Sequence, residues 1–351
     1  MPRIALFVLL LALVPAPGSA LEAAPVRLVF VGDNLLGVSM GTRMAQAGPD
    51  YPYALVADYL RSADFCFGNL ECPLTNAVIP TTGKDPAKVE AKIEFVFRAD
   101  PTLSGEALER AGFDCLSVAN NHAMDFGPDG MRETLATLQS HGIVAAGGGT
   151  NITAAMAPRF FELPDLTVGV LAASMINPIG SPATADRPGD YCVPKAWTTT
   201  LEQQIRALDQ RADLVILSLH WGVEATMVPT DYQRDVAAAA IAAGADLIIG
   251  HHPHVLQPVV FDGQHVIAYS LGNFCFTGKS HTMPTAILEV SATREGIQDC
   301  RLVPILITEG RPAFSQDPHV LDLLSILAPG IAVADSLALP AYNPPDDHGY
   351  F

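Results

Sequence analysis

Five short segments of this 351-residue chain set ionisable or carboxamide side chains directly after apolar, strand-like runs. They are Asp33 in VFVGDNLLG, Asn69 and Glu71 in GNLECPLT, Asn120-Asn121-His122 in SVANNHAMDFG, His220 in LSLHWGVE, and His251, His252 and His254 in GADLIIGHHPHVLQPV. In α/β sheets, ligands bind beyond the carboxyl ends of strands, where loops bring distant residues together. Mixed nitrogen and oxygen donors suit Zn, Mn, Fe or Ni. The set exceeds what one tetrahedral ion uses, which points to two metals sharing a carboxylate. Such a pair polarises a phosphoryl oxygen and acidifies water near neutral pH. Each segment alone has a plainer reading: Asp33 as a helix cap, Asn121 as a left-handed turn residue, any one histidine as an ordinary loop residue. Their shared position at strand ends is what those readings leave unexplained.

The elements that must carry these residues can be read from periodicity. Strands are predicted at 26–33, at 64–71 as strand then turn, in FDCLSVANNH ending in polar residues, and in TVGVLAAS, DLVILSLHWG and DLIIGHHPH; helices are predicted at 53–62, at 104–112 with Ser104 as cap, and at 129–142. Asp262-Gly263 marks a hairpin, and β-rich segments come after it. Strand–helix alternation with a β-richer second half argues an α/β sandwich. The Pro/Gly-rich stretch 177–195 is either a surface connection or a flap over a site. Gly147-Gly148-Gly149 reads as a strand-end turn, because no Lys-Ser/Thr succeeds it. Trp221 is either a floor to the site or a core residue, and Glu224 either supports a ligand or is a solvated loop acid. Lys92 and Arg98 either meet an anionic substrate or, the plainer reading, are surface cations.

Hydrophobic residues make up 49% and charged residues 16% of the chain, a globular composition. A formal net charge of −17 disfavours nucleic acid. It leaves an anionic substrate open, since a metal inverts charge locally. Arg3, the apolar run 4–14 and PAPGSA read as a signal peptide over 1–20, which implies an exported chain, periplasmic or extracellular, free or held at the membrane. Of six cysteines, Cys66, Cys115 and Cys275 lie in apolar runs and read as core residues; Cys192 and Cys300 are the disulfide candidates.

The segments VGDNLLG, GNLECPLT, VANNHAMDFG, GGGTN, LHWGVE, GADLIIGHHPHVLQPV and IAYSLGNFCF together resemble the CapA, or poly-γ-glutamate synthesis protein, family of the calcineurin-like metallophosphoesterase superfamily. The resemblance implies a β-sandwich flanked by helices over 26–310, with 311–351 as a partly irregular extension. It also implies two divalent ions (Mn, Zn or Fe) at one edge. Carried over by motif, the metal ligands are Asp33, Asn69 or Glu71, Asn121, His220, His252 and His254. Asn69 aligns best with the bridging position, but Glu71 is the carboxylate available there. His122 becomes the general acid, with Asp125 orienting it in place of the usual acidic neighbour, where Ala123 stands. Leu35 occupies the place of a further histidine ligand, and His251 falls outside the His-x-His frame. The activity implied is metal-dependent hydrolysis of an anionic substrate or polymer, a phosphoester or poly-γ-glutamate. The alternative is a non-enzymatic accessory factor working with a cell-envelope synthase.

Overall fold

The computed structural model describes residues 24–81, 83–277 and 282–334. Two sheets face one another. Across the first, the strands run Arg311–Phe314, Gly296–Thr308, Thr282–Thr293, Val26–Asn34, Phe65–Leu70, Cys115–Ser117, Val144–Ala146. The last four are mutually parallel, whereas Thr282–Thr293 runs antiparallel to Val26–Asn34. Across the second they run Val259–Phe261, Val266–Ala268, Leu247–His251, Leu214–His220, Leu166–Ser174, Arg159–Leu163. Its four inner strands are parallel to one another. Parallel neighbours need crossover connections. Helices Pro101–Ala111, Gly127–Ser140, Thr199–Asp209 and Asp231–Ala242 lie on such crossovers.

Successive strand residues point to opposite faces, and here both faces are covered. Leu28, Phe30, Phe65 and Phe67 of the first sheet meet Val168, Val170, Ile216 and Ile249 of the second. The residues between them turn outward: Val29, Val31, Cys66 and Leu116 pack with Leu108 and Leu138, while Leu217 and Ile248 pack with Ile205 and Val236. Burial on both faces is why these strands read as unbroken apolar runs. Each large side chain buried this way contributes about 1.5–3 kcal/mol. The α/β sandwich flanked by helices is the architecture the sequence implied.

Several local expectations change. The helix predicted from Ser104 begins at Pro101, because Asp100 caps it: Leu103 N donates to Asp100 Oδ1 at 2.8 Å. Proline at the first helical position lacks the amide that would go unsatisfied there. The extension drawn from residue 311 contributes Arg311–Phe314 to the first sheet. Helix Pro318–Leu327 then buries Val320, Leu324 and Leu327 in the inter-sheet core, so the fold runs on past 310. The Cys192–Cys300 disulfide does not form; all six cysteines are free. Cys192 Sγ donates to Asp190 Oδ2 instead (3.4 Å), and Cys300 pairs opposite Val290 within its sheet. The signal-peptide expectation at 1–20 and the part of the 311–351 extension beyond residue 334 lie outside the described residues. Among the described residues, no helix is long and apolar enough to cross a membrane.

Candidate metal centre

All five segments end at one edge of the sandwich. Asp33 is in register with Asn69, Asn69 with Ser117, and His220 with His251. The first sheet therefore delivers Asp33, Asn69, Glu71 and the 120–122 turn, and the second delivers His220 and the histidine triplet. The parallel strands put every one of these at a carboxyl end.

Glu71 lies at the centre. Its Oε1 is 3.7 Å from His220 Nε2 and 3.6 Å from His254 Nε2. Asp33 Oδ1 is 3.1 Å from His251 Nδ1, and its Oδ2 is 3.3 Å from His254 Nδ1. Two ligand-like groups of three share Glu71: Glu71 with His220 and His252, and Asp33 with Glu71 and His254. Within each, one donor atom per residue lies within 4.8 Å of the others. Asn121 Oδ1 lies 2.7 Å from His220 Nε2. Asn69 is engaged at both ends of its amide. Its Nδ2 donates to Asp33 Oδ1 at 2.9 Å, and its Oδ1 accepts from Asn120 Nδ2 at 3.1 Å.

The donor chemistry fits cations. Both carboxylate oxygens of Glu71 are buried with no hydrogen-bond donor, and His220 Nδ1, His251 Nε2 and His252 Nδ1 are likewise orphaned. A buried carboxylate without compensation costs several kcal/mol, and burial pushes the Glu71 carboxyl well above the usual carboxylate range. Burial also works to raise Asp33, but hydrogen bonds from His251 and His254 overcome it and hold that carboxyl well below its ordinary value. Burial drives His220 well down and His252 down to about 3, so both rings are neutral near pH 7. Neutral imidazole is the form that ligates metal. His254 goes the other way. Burial disfavours its charge, yet Glu71 and Asp33 raise it to about 10, so one imidazolium carries charge that a cation would otherwise supply.

The backbone of the triplet is unusual. His252 has φ +95° and His254 φ +59°, a region that side-chain-bearing residues enter at a cost of about 1–3 kcal/mol each. The two rings stand 5.8 Å apart across Pro253. Gly250 is required by close approach: a Cβ there would lie 2.0 Å from Tyr269 O and 2.5 Å from Trp221 Nε1. Trp221 itself is fully buried and donates Nε1–H to Tyr269 O at 2.9 Å, a core role.

His122 lies beside this cluster with Asp125 Oδ2 2.8 Å from its Nδ1. That is a bond the methyl group of Ala123 could not make. A residue the sequence did not single out joins them. Lys84 Nζ sits 2.9 Å from His122 Nδ1, bonds Asp125 Oδ1, and donates to Phe95 O at 2.8 Å. Burial lowers Lys84 against the pull of Asp125, and burial lowers His122 as well. Lys92 and Arg98, the cations weighed from sequence, are exposed. Phe97 packs on His122 at 4.3 Å between ring centroids. The 177–195 loop reaches the site's flank, where Ile179, Ser181 and Arg187 share a cavity of about 210 Å³ with Asn121 and Asp125.

The family model for the bacterial capsule synthesis protein PGA_cap matches residues 27–278. The chain belongs to that family. Every strand end that forms the site lies within the matched span. Two relatives are the capsule biosynthesis protein CapA of Bacillus anthracis, 31% identical over 85% of this chain and 71% of that protein, and the PGA biosynthesis protein CapA of Bacillus subtilis (strain 168), 32% identical over 81% and 72%. Among solved structures, a phosphatase from Mycoplasma pneumoniae overlays with a TM-score of 0.49 at 12% identity, covering 86% of this chain and 98% of that one. For this member of the capsule synthesis family, Lys84 is the site residue that sequence reading passed over. It sits in the turn TTGKDP, with neither periodicity nor a strand end to mark it.

Proposed function

We propose that this capsule synthesis family protein is an exported, metal-dependent hydrolase acting on a phosphoester in the metabolism of capsular poly-γ-glutamate. The single observation that carries the reading is Glu71: a fully buried carboxylate, with both oxygens lacking a donor, beside His220, His252 and His254. Asp33, Glu71 and His254 would hold one divalent ion; Glu71, Asn121, His220 and His252 would hold the other, Mn, Zn and Fe being the fitting types. When bound, such ions supply Lewis acidity at a phosphoryl oxygen. Asn69 orients Asp33 through its 2.9 Å hydrogen bond. Asp125 fixes His122 through Nδ1, leaving Nε2 facing outward; the general-acid role requires the ring in its doubly protonated form, which the Asp125 carboxylate favours against burial. Lys84 neutralises Asp125 and helps hold it beside His122.

The test is metal analysis of the purified protein, then turnover of phosphomonoesters and phosphodiesters with chelator and added Mn²⁺. Bound divalent metal, and turnover lost to chelator and restored by Mn²⁺, are expected. The His252→Ala variant should retain less than half the parent's metal; equal metal content in the two would sink the ligand assignment.

One observation bears on the accessory reading: Val78, Ile79, Ile93, Ile179, Met227 and Val228 are exposed on the loops beyond the site strands. Polymer synthesis that depends on the protein yet survives His252→Ala would select that reading over hydrolysis.

A further inference from the structure

The loop over 177–195 packs directly against the turn that bears Lys84. A Cβ on Gly83 would lie 1.8 Å from Ile179 O, so only glycine lets the two backbones come this close. Between this turn, the 121–128 turn and the loop lies the cavity of about 210 Å³. At about 30 Å³ of liquid volume per water molecule, that is room for a short chain of several heavy atoms. Asn121 belongs both to the cavity and to the metal centre: it lines the first, and its Oδ1 lies 2.7 Å from His220 Nε2 in the second. Asp125, which positions His122, lines the cavity too. The cavity therefore adjoins the turn that carries His122, the side on which a leaving group would depart.

Arg187, half-buried, brings a positive charge to the cavity wall. It is held in place: Nη2 donates to Pro182 O at 2.7 Å, and Thr184 N donates to Arg187 O at 3.0 Å. The segment around it is tied down in turn. Ser181 N donates to Pro178 O at 3.0 Å, Ala183 N to Asp190 O at 3.0 Å, and Tyr191 N to Gly147 O at 2.7 Å. The neighbouring carboxylates have other partners. Asp186 accepts from Thr184 Oγ1 at 2.8 Å, Asp190 from Ser181 Oγ at 2.6 Å, and Asp125 from Lys84. Among the described residues, none of these three forms a salt bridge with Arg187. A pre-positioned guanidinium thus stands beside the site in a chain of net charge −17.

We propose that this cavity is the subsite for the departing half of the substrate, and that Arg187 binds a carboxylate on it. The inference rests on the hydrolase reading of the site and deepens it. The substrate class becomes a phosphoester whose alcohol carries a carboxylate a few atoms from the ester oxygen. A guanidinium presents parallel N–H donors that match the two oxygens of a carboxylate. Lys84 is spent on Asp125, so one cation is left to balance the incoming group. That suits the single charge of a carboxylate better than the nearly two charges of a second phosphate.

The experiment compares Mn²⁺-loaded parent protein with Arg187→Ala on three series of phosphate esters. The first are phosphomonoesters of glycolic, 3-hydroxypropanoic and 4-hydroxybutanoic acids, the second the n-alkyl phosphates of matching length, the third the bisphosphates of the matching diols. The readout is the ratio of kcat/KM for acid ester over alkyl ester, because partial unfolding of a variant scales both alike. The parent should favour the acid ester of best length by about tenfold or more, and Arg187→Ala should lose that advantage. Equal turnover of acid and alkyl esters by the parent would overturn the subsite and leave metal-dependent hydrolysis standing. An advantage that survives in Arg187→Ala would overturn the role of Arg187. A parent that prefers the bisphosphates would overturn the assignment to a carboxylate. A parent that turns over none of the esters would overturn the hydrolase reading and this inference with it.

Discussion

Replacing Asp125 by Asn keeps the side chain's shape and removes its charge. Asp125 is 1% exposed and meets three partners: His122 Nδ1 at 2.8 Å, Phe97 N at 2.7 Å, and the Lys84 ammonium. The Lys84 side chain is 7% exposed, so solvent screens this pair little. Taking one charge from a buried pair costs about 3–5 kcal/mol. Lys84 keeps the Phe95 carbonyl at 2.8 Å, so the lower end, about 3 kcal/mol, is expected for Asp125→Asn. Lys84→Met leaves the buried Asp125 carboxylate with only the His122 ring and the Phe97 amide and should likewise cost about 3 kcal/mol. The double variant removes both charges together. It should be more stable than the sum of the single effects implies, by about 2 kcal/mol. Urea unfolding of the four metal-free proteins at pH 7, with equal denaturant slopes, measures the cycle. Against a total stability of about 5–15 kcal/mol, the shift is large. Additivity within about 0.5 kcal/mol would refute the claim that Lys84 and Asp125 act as one unit beside His122.

Two further outcomes rest on buried groups elsewhere in the fold. Burial raises Asp190 to about 7, with Ser181 and Cys192 donating to it. The folded chain thus holds a proton at this site that the unfolded chain releases near pH 4. That contribution is fully present below the unfolded value and is lost as pH rises toward about 7, by at most about 4 kcal/mol. Asp190→Asn should remove this part of the pH dependence, and parallel pH–stability curves for parent and variant would contradict it. Gly250→Ala drives a methyl group into the Tyr269 carbonyl. It should cost at least about 2 kcal/mol and lower the thermal midpoint of metal-free protein, since backbone cannot yield as a side chain does; an unchanged midpoint would show that the strand shifts freely.

Much of this site was legible in the sequence because parallel strands end their apolar runs abruptly, and the polar residues just beyond each run stand out. Asp33, Glu71, His122, His220 and His252 could all be placed on the site edge that way. His251 was set aside because it falls outside the His-x-His frame. It does hydrogen-bond beside the site, 3.1 Å from Asp33, a contact between sheets that no local pattern encodes. Lys84 was out of reach for the same reason: its position depends on where a surface loop folds back at Phe95. The start of the 101–111 helix was misjudged because Ser104 and Asp100 both resemble caps, and Pro101 decides between them. The 311–334 stretch looked peripheral because its short strand gains meaning only beside Gly296–Thr308.

The positive φ angles at His252 and His254 have a further consequence for how this site could change over time. Glycine would occupy either position more cheaply, so the backbone there exerts a steady preference for a residue with no side chain at all. Imidazoles persist at these positions only while something rewards them. A copy of this chain released from that demand should lose its rings here before its core drifts, and should become more stable as it does so.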